Sequence, residues 1–175
     1  MKKTILVVLI GLFISEVFGQ QNSNQIKFSN EKSKVLSGEE IFNNLLLAFS
    51  FNADSVIRLF DKDAIIEFPY ASSLGTAERL NNQEYYNYLK GGLPNMPNIK
   101  FKNIKVYPTI NNAYWAEAHG EVKIPRTGKL YKQKYVMYFV LNEGKISLYR
   151  AYWDSIAGQK AFGHEQSLKE IFNKN

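Results

Sequence analysis

The sequence predicts an α+β domain in which helices pack on one face of a curved antiparallel sheet. The first part, from residue 37 to 92, carries mainly helical patterns with one strand-like run. The second part, from residue 99 to 154, is rich in Val, Ile, Tyr, Phe and Trp and is divided by turn residues. Helices followed by a run of strands are typical of a helical layer on a sheet. We find no internal repeat and no linker, so we expect one domain.

The helical part opens with a clear start signal. The segment 37–40 (SGEE) matches a capping box, and apolar side chains then recur at helical spacing over residues 38 to 50. Asn52 is expected to cap a second, short helix. Asn81 and Glu84 form another candidate capping box, which begins a third helix that ends at Gly91-Gly92.

The strands are predicted from β-branched and aromatic runs. Residues 64 to 68 form such a run, which Pro69 ends. Four further strands are expected after the third helix, at 99–107, 113–124, 130–141 and 145–154. The short turn at 142–145 (NEGK) favours an antiparallel meander. From Ser155 onward a weak helical pattern is compatible with either a docked tail or disorder.

The N-terminal residues are predicted to be a secretory signal peptide. Lys2 and Lys3 precede an apolar run at 5–14, and small or aliphatic residues at 17–19 suit a signal peptidase. Ten apolar residues are fewer than the roughly 20 that a membrane-spanning helix needs, so we expect no stable membrane anchor. The protein is therefore expected to be periplasmic or secreted.

These patterns divide the chain into four segments. We expect a signal peptide at 1–19, a flexible lead-in at 20–36, the folded domain at 37–163 and a C-terminal tail at 164–175. The lead-in is rich in Asn, Gln, Ser and Lys, which is the composition of a segment that buries little apolar surface.

Composition restricts the chemistry. The chain has no Cys and two His, so we expect no disulfide and no dedicated metal site. It also lacks a glycine-rich phosphate loop, and we expect no cofactor. The net charge of +6 comes from scattered lysines, which favours a solvated basic surface over nucleic-acid binding.

Several phrases resemble the nuclear transport factor 2-like superfamily, which includes the ketosteroid isomerase-like and SnoaL-like proteins. They are 65–70 (IIEFPY), 114–117 (YWAE) continuing to 123–124 (KI), 139–146 (FVLNEGKI), 150–152 (RAY) and 161–163 (AFG). The later phrases are most similar to the phenazine-biosynthesis A/B branch. The resemblance implies a cone-shaped sheet with N-terminal helices on its concave face, a small-molecule pocket, and homodimers that form through the outer sheet face.

Two departures from these relatives affect the expected reaction. The resemblance to the phenazine A/B branch implies an acid/base glutamate at the position where this chain has Ala151. The resemblance to ketosteroid isomerases implies a general-base aspartate at the position where it has Phe68. Neither residue transfers a proton, so the resemblance supports the pocket more than either reaction. Strand alternation places Tyr149 and Trp153 on the face of Ala151, and we expect an aromatic, weakly polar cavity. Tyr70, next to the first strand, is a further candidate ligand contact.

Each cavity residue has a candidate role. Tyr149 would donate a hydrogen bond to a ligand oxygen, while Trp153 and Phe68 would stack on a flat ligand. The alternative is that these rings only fill the core.

Candidate acid/base residues lie on the predicted strand 113–124. Glu117 and His119 share one face with Trp115, so Glu117 could orient His119 as a general base if that face lines the cavity. The alternatives are an exposed pair on the outer face, or a carboxylate paired with Arg150 or a tyrosine. Asp154, at the end of the last strand, is a third candidate, either at a cavity rim or as an ordinary polar strand end.

The sequence therefore leaves three functions open. The first is an exported protein that binds a small hydrophobic or aromatic molecule. The second is an isomerase or cyclase that uses Glu117 and His119 as its acid/base pair. The third is an interaction module that forms a homodimer through the outer sheet face.

Overall fold

The computed structural model of the chain describes residues 36–163. The predicted signal peptide, most of the lead-in and the predicted tail lie outside these residues. The described part contains helices α1 (Gly38–Ala48), α2 (Ala53–Ile57), α3 (Asn82–Gly92) and α4 (Ser155–Phe162). Its strands are β1 (Phe60–Glu67), β2 (Arg79–Asn81), β3 (Lys100–Pro108), β4 (Ala113–Lys123), β5 (Leu130–Asn142) and β6 (Lys145–Tyr152). Short 3-10 turns lie at Ala71–Leu74 and Leu93–Asn95.

The strands form one six-stranded sheet in the order β2-β1-β6-β5-β4-β3. Strands β3 to β6 are the predicted antiparallel meander. The predicted fold class, α+β with a curved open sheet and helices against it, is confirmed. One pairing differs from a purely antiparallel sheet, because β1 runs parallel to β6.

Two details of the strands were not predicted. Strand β2 has three residues, which is too short to show an alternating pattern. Strand β1 begins at Phe60 rather than at residue 64, and its pairing with β6 shifts register between Phe60 and Ile65. The charged residues in that interval do not alternate with apolar ones, so the sequence pattern hides the start of the strand.

The predicted capping boxes are present. At α1, Ser37 Oγ accepts from the Glu40 amide at 3.2 Å, and a Glu40 carboxylate oxygen accepts from the Ser37 amide at 2.8 Å. At α3, Asn81 and Glu84 make the same reciprocal bonds, at 2.9 and 2.8 Å. These bonds satisfy amides that no helical carbonyl can reach, so each helix starts at a defined residue.

The inner face of the sheet is the one that the helices cover. Helix α1 packs there through Phe42, whose ring lies 5.7 Å from Phe139 of β5 in a stacked geometry. Burial alternates along β4, so that Ala116 and Ala118 face inward and their neighbours face outward. The inner face of β4 therefore carries small side chains. A Cβ on Gly120 would lie 2.9 Å from the Tyr135 ring, so a glycine is required for that ring to pack here.

The first residue of α1 provides a test of this packing. A Cβ on Gly38 would lie 2.3 Å from the Tyr114 ring, so Gly38→Ala forces that ring off the sheet. We expect the free energy of unfolding to fall by about 1–3 kcal/mol, despite the better helix propensity of Ala, in urea denaturation. Glu39→Ala, at an exposed neighbour, should change it by about 0.5 kcal/mol or less. A Gly38→Ala variant as stable as the parent would contradict the close contact.

Candidate functional site

A cavity lies between the inner face of the sheet and the helices that cover it, with a volume of about 110 Å³. Helices α1, α3 and α4 each contribute side chains to it, as do strands β3, β5 and β6. Aromatic residues dominate the lining: Phe49, Phe68, Tyr85, Tyr88, Phe101, Tyr131, Tyr135, Tyr149, Trp153 and Phe162. Among residues 36–163, none of those that line this cavity is Asp, Glu, His, Lys or Arg.

Three of the predicted ligand residues lie in this cavity. Phe68, Tyr149 and Trp153 all contribute to the lining, as does Ala151, which shares the inner face of β6 with Tyr149. The Phe68 ring stacks at 5.3 Å on Tyr88 of α3. The two positions at which the resemblance implies carboxylates, 68 and 151, therefore lie in the cavity lining, and both residues are apolar here.

Two other predicted ligand residues do not line the cavity. Tyr70 is 58% exposed and Trp115 is 39% exposed, and both rings contact Tyr152 on the outer side of the sheet, at 5.8 and 6.2 Å. Trp115 faces outward because its neighbour Ala116 faces the helices. Tyr70 follows Pro69 in a turn, where the alternation of β1 no longer applies.

Glu117 and His119 share a face, as their spacing requires, but it is the outer face of the sheet. Neither residue is among those that line the cavity. His119 Nδ1 lies 3.0 Å from the Asn103 side-chain amide, and Glu117 stands opposite Lys105 in the β3–β4 pairing. Glu117 and His119 therefore do not face the cavity, as a catalytic pair there would require. They lie on the outer face of the sheet, which was the alternative position.

Asp154 has a structural role at the start of α4. Its side chain is the N-cap of that helix, with Oδ1 accepting from the Ile156 amide at 2.8 Å. The residue is exposed and borders a separate groove on the outer side together with His119. It is thus a helix cap and not a member of the cavity.

An ion cluster on the outer side of the sheet involves Arg150, whose carboxylate partner is Glu67 rather than Glu117. Glu67 accepts from Arg150 at 2.6 and 2.7 Å and pairs with Arg79 at 2.9 Å. Hydrogen bonding to Glu67 is the main cause that raises the pKa of Arg150. The three residues are partners across β2, β1 and β6, so the cluster holds this end of the sheet together.

The polar groups at the cavity form a hydrogen-bond network that the sequence pattern did not predict. Gln133 is 3% exposed, and its amide binds both the backbone amide and the carbonyl of Asp154, at 3.0 and 2.9 Å. It also donates to Tyr131 Oη at 3.1 Å, and Tyr131 Oη lies 3.2 Å from Tyr135 Oη. The sequence feature that could have indicated this network is the alternation along β5, which places Tyr131, Gln133, Tyr135 and Met137 on one face.

Burial raises the pKa of five tyrosines that line the cavity, because an ionised phenolate loses its hydration there. They are Tyr85, Tyr88, Tyr131, Tyr135 and Tyr149. Their hydroxyls therefore stay protonated at neutral pH and act as hydrogen-bond donors rather than as bases.

These shifts predict how stability depends on pH. In the unfolded chain a tyrosine ionises near pH 10, while the five cavity tyrosines of the folded protein still hold their protons. The free energy of unfolding should therefore be independent of them below about pH 10 and should fall as the pH rises above it. Phenolate absorbance during an alkaline titration measures this, with the denatured protein as control. If all eleven tyrosines titrate near pH 10 while the fold stays intact, the burial described here is wrong.

No helix among residues 36–163 has the length and hydrophobicity needed to cross a membrane.

No family model matches this chain. The uncharacterised protein YesE of Bacillus subtilis is 31% identical over 107 residues, which covers 60% of this chain and 72% of that protein. An uncharacterised PhzA/B-like protein of Pseudomonas aeruginosa is 25% identical over 134 residues, covering 76% of this chain and 94% of that protein.

Solved structures share the fold. A "putative isomerase" from Bacillus subtilis superimposes with a TM-score of 0.65 at 27% identity, over 71% of this chain and 91% of that one. A phenazine biosynthesis-related protein from Pseudomonas aeruginosa gives 0.57 at 19% identity, over 72% and 87%. A Catenulispora acidiphila protein with a ketosteroid isomerase-like fold, in complex with trimethylamine, gives 0.60 at 13% identity, over 74% and 95%. The chain therefore belongs to the family of Bacillus subtilis YesE and has the ketosteroid isomerase-like fold.

Proposed function

We propose that this protein binds a compact, neutral, hydrophobic or aromatic molecule in the cavity. The observation that carries the proposal is the lining, which is mainly aromatic and, in the part of the chain that the structure describes, contains no residue that is charged at neutral pH. An apolar ligand gains about 25 cal/mol for each Å² removed from water, whereas an unpaired charge loses its hydration there. The lining thus favours uncharged ligands.

The size of the cavity restricts the ligand further. Its volume of about 110 Å³ is close to that of engineered apolar cavities of about 150 Å³ that accept benzene. Pockets for drug-sized ligands measure about 300–1,000 Å³. The ligand is therefore about one ring in size, and a molecule as large as a steroid requires the cavity to expand.

An enzyme of the isomerase or cyclase kind is the second candidate. The isomerase description of the Bacillus subtilis structure, at 27% identity, favours it. In this chain Phe68 and Ala151 occupy the cavity positions at which the resembling enzymes carry their acid/base carboxylates. Glu117 and His119 would reach only a substrate on the outer face. Binding without proton transfer by a carboxylate is thus the function that this cavity supports best.

Filling the cavity tests the proposal. Ala151→Leu adds side-chain atoms to the lining between Tyr149 and Trp153. We expect the affinity for benzene to fall at least about tenfold, because a ligand that still enters must force the overfilled lining apart. Ligand-observed NMR or isothermal titration calorimetry on the purified protein measures the affinity.

The controls separate the two candidate functions. Val136→Leu adds bulk on the exposed outer face and should leave benzene binding unchanged. Glu117→Gln and His119→Ala should do the same. If Ala151→Leu binds benzene as well as the parent, or the parent does not bind it, the cavity is not a ligand site of this kind. Loss of benzene binding in Glu117→Gln or His119→Ala would place the benzene site on the outer face, where the second candidate has its acid/base pair.

We also propose that the protein forms a homodimer through the outer face of the sheet. This face carries an outer aromatic patch, defined by Tyr70, Trp115, Val136, Tyr138 and Tyr152. Trp115 contacts the rings of Tyr138 and Tyr152 at 5.1 and 6.2 Å. Aromatic residues are enriched in protein interfaces, and an exposed cluster of them is favourable to bury.

A charge placed in the outer aromatic patch should separate such a dimer. We expect the parent protein to be a dimer in multi-angle light scattering and Trp115→Lys to be a monomer, because an interface would have to bury the new ammonium group. Ile110→Lys, at an exposed position in the turn between β3 and β4, is the matched control and should remain a dimer. A monomeric parent at all concentrations tested would reject the proposed dimer.

We further propose that the protein is exported. The basic, then apolar, then small-residue order of residues 1–19 supports secretion to the periplasm or beyond. The absence of Cys from the sequence means that the fold does not depend on the redox state of that compartment.

A further inference from the structure

The orientation of the buried Gln133 side chain is fixed by the backbone around it. Its Oε1 accepts from the amides of Lys134 and Asp154, at 3.1 and 3.0 Å, and a backbone amide can only donate. Its Nε2 donates to the carbonyl of Asp154 at 2.9 Å and to Tyr131 Oη at 3.1 Å. Both amide protons are thereby used, and Tyr131 Oη must accept one of them.

The two tyrosines that follow have one proton too many. Tyr131 and Tyr135 each carry one hydroxyl proton, but a single hydrogen bond of 3.2 Å joins their oxygens. Whichever hydroxyl donates in that bond, the proton of the other has no acceptor among the described hydrogen bonds of the two residues. The cluster therefore offers one donor that needs an acceptor from outside it.

The geometry favours Tyr135 as the residue that holds this proton. Both rings line the cavity, but Tyr131 is 4% exposed and already accepts from Gln133, whereas Tyr135 is half-buried. When Tyr131 donates to Tyr135, the chain of bonds runs in one direction from Gln133, and the last proton is the one on Tyr135. Each bond in such a chain polarises the next, which strengthens the terminal donor.

A second cavity hydroxyl has a weak partner. Tyr149 donates to the thioether sulfur of Met137 at 3.1 Å, and a thioether is a poor acceptor compared with an oxygen. A ligand oxygen within reach would therefore compete well for this proton as well. Both observations indicate that the described part of the lining holds hydroxyl protons that a ligand oxygen could accept.

We propose that the ligand of this cavity carries an uncharged oxygen acceptor, such as a ketone carbonyl, and that Tyr135 donates to it. This inference rests on the proposed function, because it requires the ligand to occupy the cavity. It adds a polar requirement to a ligand otherwise defined by shape and hydrophobicity. A buried donor without an acceptor is costly, so a ligand lacking the oxygen is disfavoured.

A pair of isosteric ligands tests the inference. Cyclopentanone and methylenecyclopentane have the same ring, and an oxygen in the first replaces a methylene group in the second. For each ligand, the binding constant is divided by its partition constant between water and hydrocarbon, which gives a transfer-corrected affinity. We expect this corrected affinity of the parent protein to be about two- to tenfold higher for cyclopentanone than for methylenecyclopentane, which corresponds to one net hydrogen bond. Calorimetry or ligand-observed NMR gives both dissociation constants.

The Tyr135→Phe variant removes the donor and keeps the ring. We expect it to abolish the transfer-corrected preference for cyclopentanone and to bind methylenecyclopentane at least as tightly as the parent does, since that ligand no longer leaves a donor unpaired. Retained binding of methylenecyclopentane shows that the cavity is intact. Tyr138→Phe, which removes a hydroxyl on the outer face, is the matched control and should keep the preference.

The outcomes are distinguishable. If both ligands bind but the parent shows no preference, or if Tyr135→Phe keeps it, the assignment of Tyr135 as donor is overturned while the proposed function stands. If Tyr149→Phe abolishes the preference and Tyr135→Phe does not, the donor is Tyr149 and the assignment is again overturned. If neither ligand binds the parent, the proposed function fails and this inference fails with it.

Discussion

The alternation of side chains along the central strands is the constraint on which the rest of the structure depends. On β4 it turns Ala116, Ala118 and Gly120 toward the helices and Trp115, Glu117 and His119 away from them. Gly120 gives the rings of Tyr135 and Phe101 room against β4, because a Cβ there would lie 2.9 and 3.2 Å from them. Both rings line the cavity, so a residue without a side chain helps to set the position of the lining.

The same alternation separates charge from the cavity. Glu67 lies on the outer side with Arg79 and Arg150, and Glu121 lies there between Lys102 and Lys132. Since these ionised groups lie on the outer side, the described lining of the cavity consists mainly of apolar rings and neutral hydroxyls. Hydrogen bonds between neutral groups are strong in such surroundings, and leaving a donor unpaired is correspondingly costly. The tyrosine hydroxyls thereby become the main polar groups available to a ligand.

Much of the fold could be predicted from local patterns. The capping boxes at Ser37 and Asn81 and the strands of the meander depend on neighbouring residues, so the sequence contains their signals directly. The parallel pairing of β1 with β6 joins distant segments, and no local pattern encodes it. For the site, spacing shows that Glu117 and His119 share a face but cannot say which face, because that depends on where the helices pack. Gln133 is a second case, since a glutamine on an apolar strand face has no assigned partner until the chain brings Asp154 beside it.

The Gln133 amide fastens α4 to the sheet and also orders the tyrosine hydroxyls at the cavity, because Asp154 begins that helix. A substitution at Gln133 would change the position of a helix that lines the cavity and the donors inside it at once. The two effects can be separated only at the hydroxyls, where the ring keeps its packing and a single proton is removed. The hydrogen-bond requirement of the cavity therefore comes from the hydroxyls of Tyr131 and Tyr135. Gln133 links these hydroxyls to the start of α4, because it binds both Tyr131 and the backbone of Asp154.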